Sequence, residues 1–408
     1  MDASANVAAV KPGRGQAIDC LAQAKALAPA IAAAVPRIEE SRELPPDIVD
    51  ALHTSGLYRM LFPRSLGGHE LPLPVYIQVI EEIAKADAST AWCLGQSSVC
   101  STITASLDHA VAWEMFGKDR RAVLNWGPQG RTAKGIVIDG GYRLTGRWPF
   151  ASGSRHASWM AAHCTVYQGD GETPLNGPDG KPEERTFIFP RASAEIIDNW
   201  YVMGLKGTGS DTYAVNDLFV PKERTMIVFG RDPAERREHG PLYLFTTHQL
   251  FGASFAGVAL GIARSALDAF VELAKSKISS PTGGSGALRE NAVVQSQVGV
   301  AQTELASARV YLMHALDEIW EEAASNGAVS LDKRLQLRMA ESQATQTAKH
   351  VVDTAYHGAG ATAIFQSNPF ERRFRDLHTV LQQVQAHYSV FEIIGKHFLG
   401  MGVTSRLV

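Results

Sequence analysis

The rhythm of apolar and polar positions along this 408-residue chain changes twice. As far as about residue 121 it is helical. Residues 17–35 are rich in Ala and Leu, with Pro36 near the end of the run. Pro45-Pro46 precedes a short helix over 47–55 that Gly56 closes, since proline suits a first helical turn and glycine a helix end. Over 74–87, Val75, Ile77, Val79, Ile80 and Ile83 follow Pro74, again suited to a helix start. Residues 90–107 are apolar on nearly all sides, which predicts a buried helix. From about 122 to 228 Gly and Pro become frequent and β-branched runs short. Strands are expected over 133–138, 141–146, 158–166, 185–190, 194–200 and 212–220, with 169–184 a polar surface loop. From about 242 long amphipathic helices return, over 249–275, 291–324, 332–356 and 376–399. Short polar loops join them, one of them Gly/Ser/Pro-rich before residue 290, as in an antiparallel four-helix bundle. The chain therefore reads as mostly α with a central β domain: helical residues 1–121, a β-barrel or sandwich over 122–230, and a bundle over 231–408. Gly/Ala-rich bundle helices also point to oligomerisation through close helix contacts.

Composition narrows the function classes. With 45% hydrophobic and 20% charged residues, this is the profile of a soluble globular enzyme. A net charge of −3 gives no general basic field for nucleic acid. No stretch reaches the ~18 uninterrupted apolar residues of a membrane span, and no basic segment followed by an apolar run suggests a signal peptide. The four cysteines, Cys20, Cys93, Cys100 and Cys164, show no CxxC spacing and are expected to be free thiols in a reducing cytoplasm. The absence of HExxH, HxxxH or a cysteine cluster argues against a metal. No Gly-rich loop follows a strand, which argues against a Rossmann dinucleotide site.

The densest chemistry lies in Trp148-Pro149-Phe150-Ala151-Ser152-Gly153-Ser154-Arg155-His156-Ala157-Ser158-Trp159, after the strand-like run 142–147. It offers aromatic faces, hydroxyls, an imidazole and a glycine that permits close backbone approach. Those are the means to hold a flat heteroaromatic ring.

Several further motifs accompany it in order. Leu61-Phe62-Pro63-Arg64-Ser65-Leu66-Gly67-Gly68, Met203-Gly204-Leu205-Lys206-Gly207-Thr208-Gly209-Ser210-Asp211-Thr212, His357-Gly358-Ala359-Gly360 and Pro369-Phe370-Glu371-Arg372-Arg373-Phe374-Arg375-Asp376 resemble motifs of the acyl-CoA dehydrogenase superfamily. The resemblance spans nearly the whole chain. It implies an N-terminal helical domain, a β domain and a C-terminal four-helix bundle, a flavin held between the last two, and a homotetramer.

The departures are chemical. The dehydrogenases remove an α-proton with a glutamate nine residues after the arginine of the Arg-Asp pair, here Val384, or with one near Phe251 in the first bundle helix. Neither residue is a carboxylate, and a hydrocarbon cannot act as a general base. Asn125-Trp126-Gly127-Pro128 replaces the usual flavin-contacting stretch. The usual pyrophosphate-binding arginine is absent, with Lys275 and Lys277 nearby as substitutes. The segment from Gly146 to Trp159 instead resembles the flavin-dependent monooxygenases built on this fold. Those are oxygenase components of two-component systems. The resemblance implies reduced FMN or FAD supplied by a separate NAD(P)H-dependent reductase, a flavin C4a-hydroperoxide formed with O2, and hydroxylation of a small aromatic or heteroaromatic substrate. The alternative is a flavin oxidoreductase acting on a thioester with a non-standard base.

Ser152 is the first candidate for a contact at the flavin N5 edge, against an ordinary strand-end serine. Trp148 and Phe150 are candidates to pack on the isoalloxazine, and Trp126 to wall it; core packing is the alternative for all three. Ser154 and Arg375 join the cofactor-binding candidates, and Gly358 and Gly360 would let backbone approach the flavin. His156 is read as structural, satisfying backbone at the domain junction. The histidine that related oxygenases place eight residues after the Arg-Asp arginine is here Gln383. His387, four residues on, would share its helix face, so His387 or His378 is the candidate base with Gln383 as a hydrogen-bonding residue. Gln96, Ser97 and Phe251 are the substrate-side candidates. His109, His163 and His248 are expected in surface or packing roles.

Overall fold

A computed structural model describes residues 19–130, 132–227, 237–278 and 286–403. The N-terminal helices are α1 (Cys20–Ser41), α2 (Pro46–Thr54), α3 (Leu73–Ala86), α4 (Ala88–Ser101) and the single turn α5 (His109–Ala112). Helix α1 runs through Pro29 and Pro36 instead of ending at the latter, and stops at Arg42 in the left-handed region. Helix α4 starts where the Asp87 carboxylate accepts the Thr90 N–H at 2.7 Å, a side-chain cap for an otherwise orphaned donor. It is buried along its whole length, and a 3-10 segment carries the chain on over Thr102–Ser106.

Among the described residues eight strands follow: β1 (Leu124–Asn125), β2 (Lys134–Ile138), β3 (Gly141–Trp148), β4 (Trp159–Tyr167), β5 (Glu184–Pro190), β6 (Glu195–Ile197), β7 (Thr212–Pro221) and β8 (Thr225–Met226). They form one sheet in the order β6-β7-β3-β2-β4-β5-β8, with β1 paired in parallel to β4. Alternation along β4 separates two cores. Met160, Ala162 and Cys164 pack with Phe187 and Phe189 into the β domain's own core. Ala161 and its partner Ile188 join the helical core. His163, opposite Thr186, lies on that same helix-facing side.

The bundle contains α6 (Thr247–Ser276), α7 (Ala292–Asn326), α8 (Leu331–Ala359), α9 (Phe370–Val380) and α10 (Ser389–Phe398). A capping box opens α6: Thr246 Oγ1 accepts from Gln249 N–H, and Gln249 Oε1 accepts from Thr246 N–H. Helix α6 is long and apolar enough to cross a membrane, yet 94% of its most apolar window is buried inside the protein. It is the central helix, covered by α3, α4 and α8.

The last helix departs from the sequence pattern. The expected helix over 376–399 is two helices, α9 and α10, separated by a 3-10 turn over Val384–Ala386. Gln383 Oε1 caps that turn by accepting from Gln385 N–H at 2.6 Å, the local bond by which a polar side chain competes with helix continuation. Gln383 and His387 therefore do not share a helix face. The expected boundary at residue 230 lies outside the described residues.

Candidate active site

The turn after β3 departs from ordinary backbone. Phe150 has φ 58° and Gly153 φ 73°. Glycine accepts the left-handed region freely, while phenylalanine holds it against the clash of its own Cβ. The turn is over-determined by its neighbours. Ala151 N–H donates to Asp211 O, and Gly153 N–H to Thr208 O at 2.9 Å. Asn125 Nδ2 donates to Gly153 O, and Ser97 Oγ donates to Asn125 Oδ1, both at 2.9 Å. The outcome is a phenyl ring thrust outward, 60% exposed, and set nearly perpendicular to the Trp200 ring.

Ser152, two residues on, is buried. Its Oγ accepts the indole N–H of Trp92 at 2.9 Å and lies 2.6 Å from Ser210 Oγ. Ser210 Oγ lies 2.7 Å from Thr208 Oγ1, which donates to Leu205 O at 2.8 Å. Trp92 stacks on Phe255 of α6, centroids 3.8 Å apart and planes within 7°. Phe251 stacks on Phe255 in turn, and Trp126 meets Phe251 edge-on at 6.2 Å. Gln96 ties this wall to the sheet, its Nε2 donating to Trp126 O at 3.1 Å. Trp92, Gln96, Phe251, Phe255 and Trp126 thus form an aromatic wall between α4, α6 and β1, continuous with Ser152.

Other candidates lie elsewhere. Trp148 is fully buried in the β core, stacked on Tyr213, its indole N–H spent on His163 O. Strand alternation explains this, because Trp148 points to the face opposite the helices; it is no part of an open ring-binding wall. Ser154 is fully buried, its carbonyl accepting from Arg191 Nε. Ser97 is committed to Asn125 and acts on the Ser152 turn, not on an open space. Gly358 lies inside α8 where a Cβ would stand 2.3 Å from the Phe270 ring, so it serves the packing of α8 on α6. Gly360, φ 58°, ends α8, and Lys277 Nζ reaches that end, donating to Ala359 O at 2.6 Å and Thr362 Oγ1 at 2.9 Å. Lys275 pairs with Glu272 at 2.5 Å.

Arg375 pairs with Glu371 and Glu39 and donates to Met203 O. Asp376 is buried and accepts the Leu205 N–H at 2.7 Å. The C-terminal motif therefore clamps the β-domain turn whose carbonyl ends the Ser152 chain. Of the candidate bases, His378 Nε2 lies 2.9 Å from Asp353 Oδ1 with its ring on Phe374, a brace between α9 and α8. His387 is exposed, Nδ1 2.9 Å from Ser389 Oγ. His156 Nε2 lies 3.1 Å from both the amide and the carbonyl of Leu44, fastening the turn to the chain after α1. His163 is buried, Nδ1 2.7 Å from Thr186 Oγ1 and its ring edge-on to Trp126; burial pulls it down to about 4, so it is neutral at physiological pH. Among the described residues no group of three His, Cys, Asp or Glu side chains is placed to hold a metal.

Trp92 and Phe255 are the wall residues that sequence reasoning missed, and Asn125, Thr208 and Ser210, though inside quoted motifs, were given no role of their own. Trp92 had one signal, a lone indole in a buried helix of small residues. Thr208 and Ser210 stood in a turn motif, but nothing local tied them to Ser152, because that contact joins residues 58 apart in the chain.

Comparison with known proteins places this geometry. The family model for the acyl-CoA dehydrogenase N-terminal domain matches residues 22–109, and that for the C-terminal domain residues 253–388. The chain is 28% identical to an indole-3-acetate monooxygenase of Pseudomonas putida over 89% of each chain. It is also 28% identical to the flavin-dependent monooxygenase oxygenase subunit HsaA of Rhodococcus jostii, over 86% of this chain and 91% of that one. The crystal structure of the HsaA monooxygenase from M. tuberculosis superposes with a TM-score of 0.85 at 25% identity, covering 96% of this chain and 99% of that one. The chain belongs to the acyl-CoA dehydrogenase superfamily, and the relatives it resembles over most of its length are flavin-dependent monooxygenases.

Proposed function

We propose that this protein is the oxygenase component of a two-component flavin-dependent monooxygenase that hydroxylates a small aromatic substrate, with a separate reductase supplying reduced flavin. One observation carries the reading: an exposed aromatic on a strained turn, Phe150, stands two residues from a buried hydroxyl, Ser152, beside an aromatic wall. Strained backbone persists where the surroundings enforce it, and such sites are commonly functional. These residues fit a flavin. Phe150 offers a ring face, and Ser152 a hydroxyl for the N5 edge. Lys277 and the Gly360 helix end offer a cation beside open backbone. The bound reduced flavin would supply the electrons that activate dioxygen.

The chain's own residues supply the rest. Trp92, Phe251, Phe255 and Trp126 exclude water and present flat apolar surface to an aromatic ring. Gln96 offers a polar group within that wall. Dehydrogenation lacks its base: Val384 is an exposed hydrocarbon, and Phe251 belongs to the wall. A homotetramer accords with apolar residues on exposed helical surfaces, Val293, Val300 and Val310 of α7 and Phe398 of α10, surfaces that association would cover. The free, buried cysteines accord with a cytoplasmic protein.

The test is rapid anaerobic mixing of protein and reduced FMN or FAD with oxygenated buffer, followed by absorbance. The expected result is a long-lived species absorbing in the near ultraviolet that forms before oxidised flavin. Rapid direct return of oxidised flavin with both cofactors, together with reduction of bound flavin by an acyl-CoA, would sink the reading.

A further inference from the structure

We infer that Trp92, Ser152, Ser210, Thr208 and Leu205 form a one-way hydrogen-bond relay that makes this site select reduced over oxidised flavin. The inference rests on the reading of the protein as a flavin-using oxygenase and supplies a device for its redox preference.

The direction of the relay follows from its two ends. An indole N–H can only donate, and a backbone carbonyl can only accept. At one end Trp92 Nε1 donates to Ser152 Oγ, 2.9 Å. At the other, Leu205 O must receive the single hydroxyl hydrogen of Thr208, 2.8 Å. Thr208 then has no hydrogen left for Ser210, so the 2.7 Å contact is Ser210 donating to Thr208. Ser210 in turn has none left for Ser152, so the 2.6 Å contact is Ser152 donating to Ser210. Any other assignment leaves two oxygens in contact with no hydrogen between them. All of these side chains are buried, which withholds water as a substitute partner and makes an unmade bond expensive.

The carbonyl end is itself fixed. Leu205 sits in the left-handed region at φ 53°. The Asp376 carboxylate takes its N–H at 2.7 Å. A Cβ on Gly204 would stand 2.1 Å from Arg375 O, so the turn lies directly against α9.

The polarity has a chemical consequence. The Ser152 hydrogen is spent on Ser210, and one of its lone pairs on Trp92. What remains is one lone pair, an acceptor. Reduced flavin carries a hydrogen on N5 and can donate to it. Oxidised flavin presents a bare N5 lone pair, which meets another lone pair unless the relay is broken. Ser152 thus acts as an acceptor toward N5, and Ser210 and Thr208 are positioning residues that keep it so.

The test is anaerobic calorimetric titration of the full-length protein with FMN and FAD, each oxidised and dithionite-reduced. Wild type, Ser210→Ala, Thr208→Val and Thr208→Ser are compared, with circular dichroism melts to confirm folding. Wild type should bind reduced flavin about tenfold tighter, the scale of one hydrogen bond between sites of this kind. Ser210→Ala frees the Ser152 hydrogen directly. Thr208→Val lets Ser210 turn and donate to Ser152, which frees it indirectly. Both should bring the ratio near unity, chiefly by tightening the oxidised form. The midpoint potential of the bound flavin should fall by about 30 mV for a tenfold loss in a two-electron couple. Thr208→Ser keeps the hydroxyl and should keep the ratio. Equal binding of both redox states by wild type, or an unchanged ratio and potential in both folded hydroxyl-deletion variants, would overturn the relay while leaving the oxygenase reading in place. Failure of wild type to bind either flavin in either state would overturn both.

Discussion

Phe150 shows how a residue choice and a function oppose each other. A phenylalanine at φ 58° with most of its ring in solvent contributes little to the fold, and its backbone conformation costs about 1 kcal/mol relative to glycine. Phe150→Gly should therefore raise unfolding stability by about 1 kcal/mol in urea titrations, while weakening reduced-flavin binding by about fivefold through loss of a ring contact. A variant that loses stability and keeps its flavin affinity would show that the ring serves packing. Ser152 was legible in the sequence because it lies in a local motif. Ser210 lies in a motif as well, but its role was not legible, because the contact that defines it joins residues 58 apart in the chain. Trp148 and Phe150 are two positions apart and equally aromatic, yet one lies in the β core and the other in solvent. Alternation ends where β3 ends, and beyond it the turn's backbone decides where a side chain points.

At the scale of elements, the pattern of small and large residues specifies helices well and their interruptions poorly. Residues 376–399 keep helical apolar spacing, yet the chain breaks between α9 and α10, with a glutamine capping a 3-10 turn. No proline or glycine marks the break, so it depends on what α8 and α6 place against the segment; Gln346 Nε2, for instance, donates to Ala386 O at 3.3 Å. Gly358 is the counter-case, a motif glycine whose local role is helix packing. With a Cβ 2.3 Å from the Phe270 ring, Gly358→Ala should overpack the α6–α8 contact and lower stability by about 1–3 kcal/mol. Thermal melts with and without reduced flavin check this: the same deficit in both conditions is expected, and a deficit seen only with flavin would return Gly358 to the cofactor.

At the scale of the molecule, one buried junction joins all three regions. Asp87, the cap of α4, takes Arg372 Nη1 at 3.0 Å, and Arg372 lies 3.7 Å from Asp376, whose other oxygen holds the Leu205 N–H of the β domain. Burial pushes the Asp376 carboxyl well above the usual carboxylate range, with Arg372 opposing. Removing the arginine strands two buried carboxyls, a loss of about 3–5 kcal/mol for an interaction of this kind. Arg372→Met should lower the urea midpoint accordingly and loosen all three regions together. Helix-only unfolding with an intact β domain, seen by near-ultraviolet circular dichroism of its tryptophans, would contradict that coupling.

The sequence by itself determined the helix–sheet–helix order, the superfamily and the loss of the dehydrogenation base. Each of these is written in local periodicity, in motifs of adjacent residues, or in the identity of one side chain such as Val384. Only the tertiary structure decided which aromatics form the wall, that Ser97 and Asn125 hold the Ser152 turn, and which way the hydroxyls between Trp92 and Leu205 point. A hydrogen bond between remote residues leaves no periodicity behind. Its direction depends on both ends of a chain of contacts, and these come together only when α4, the β-domain turns and α9 pack against one another.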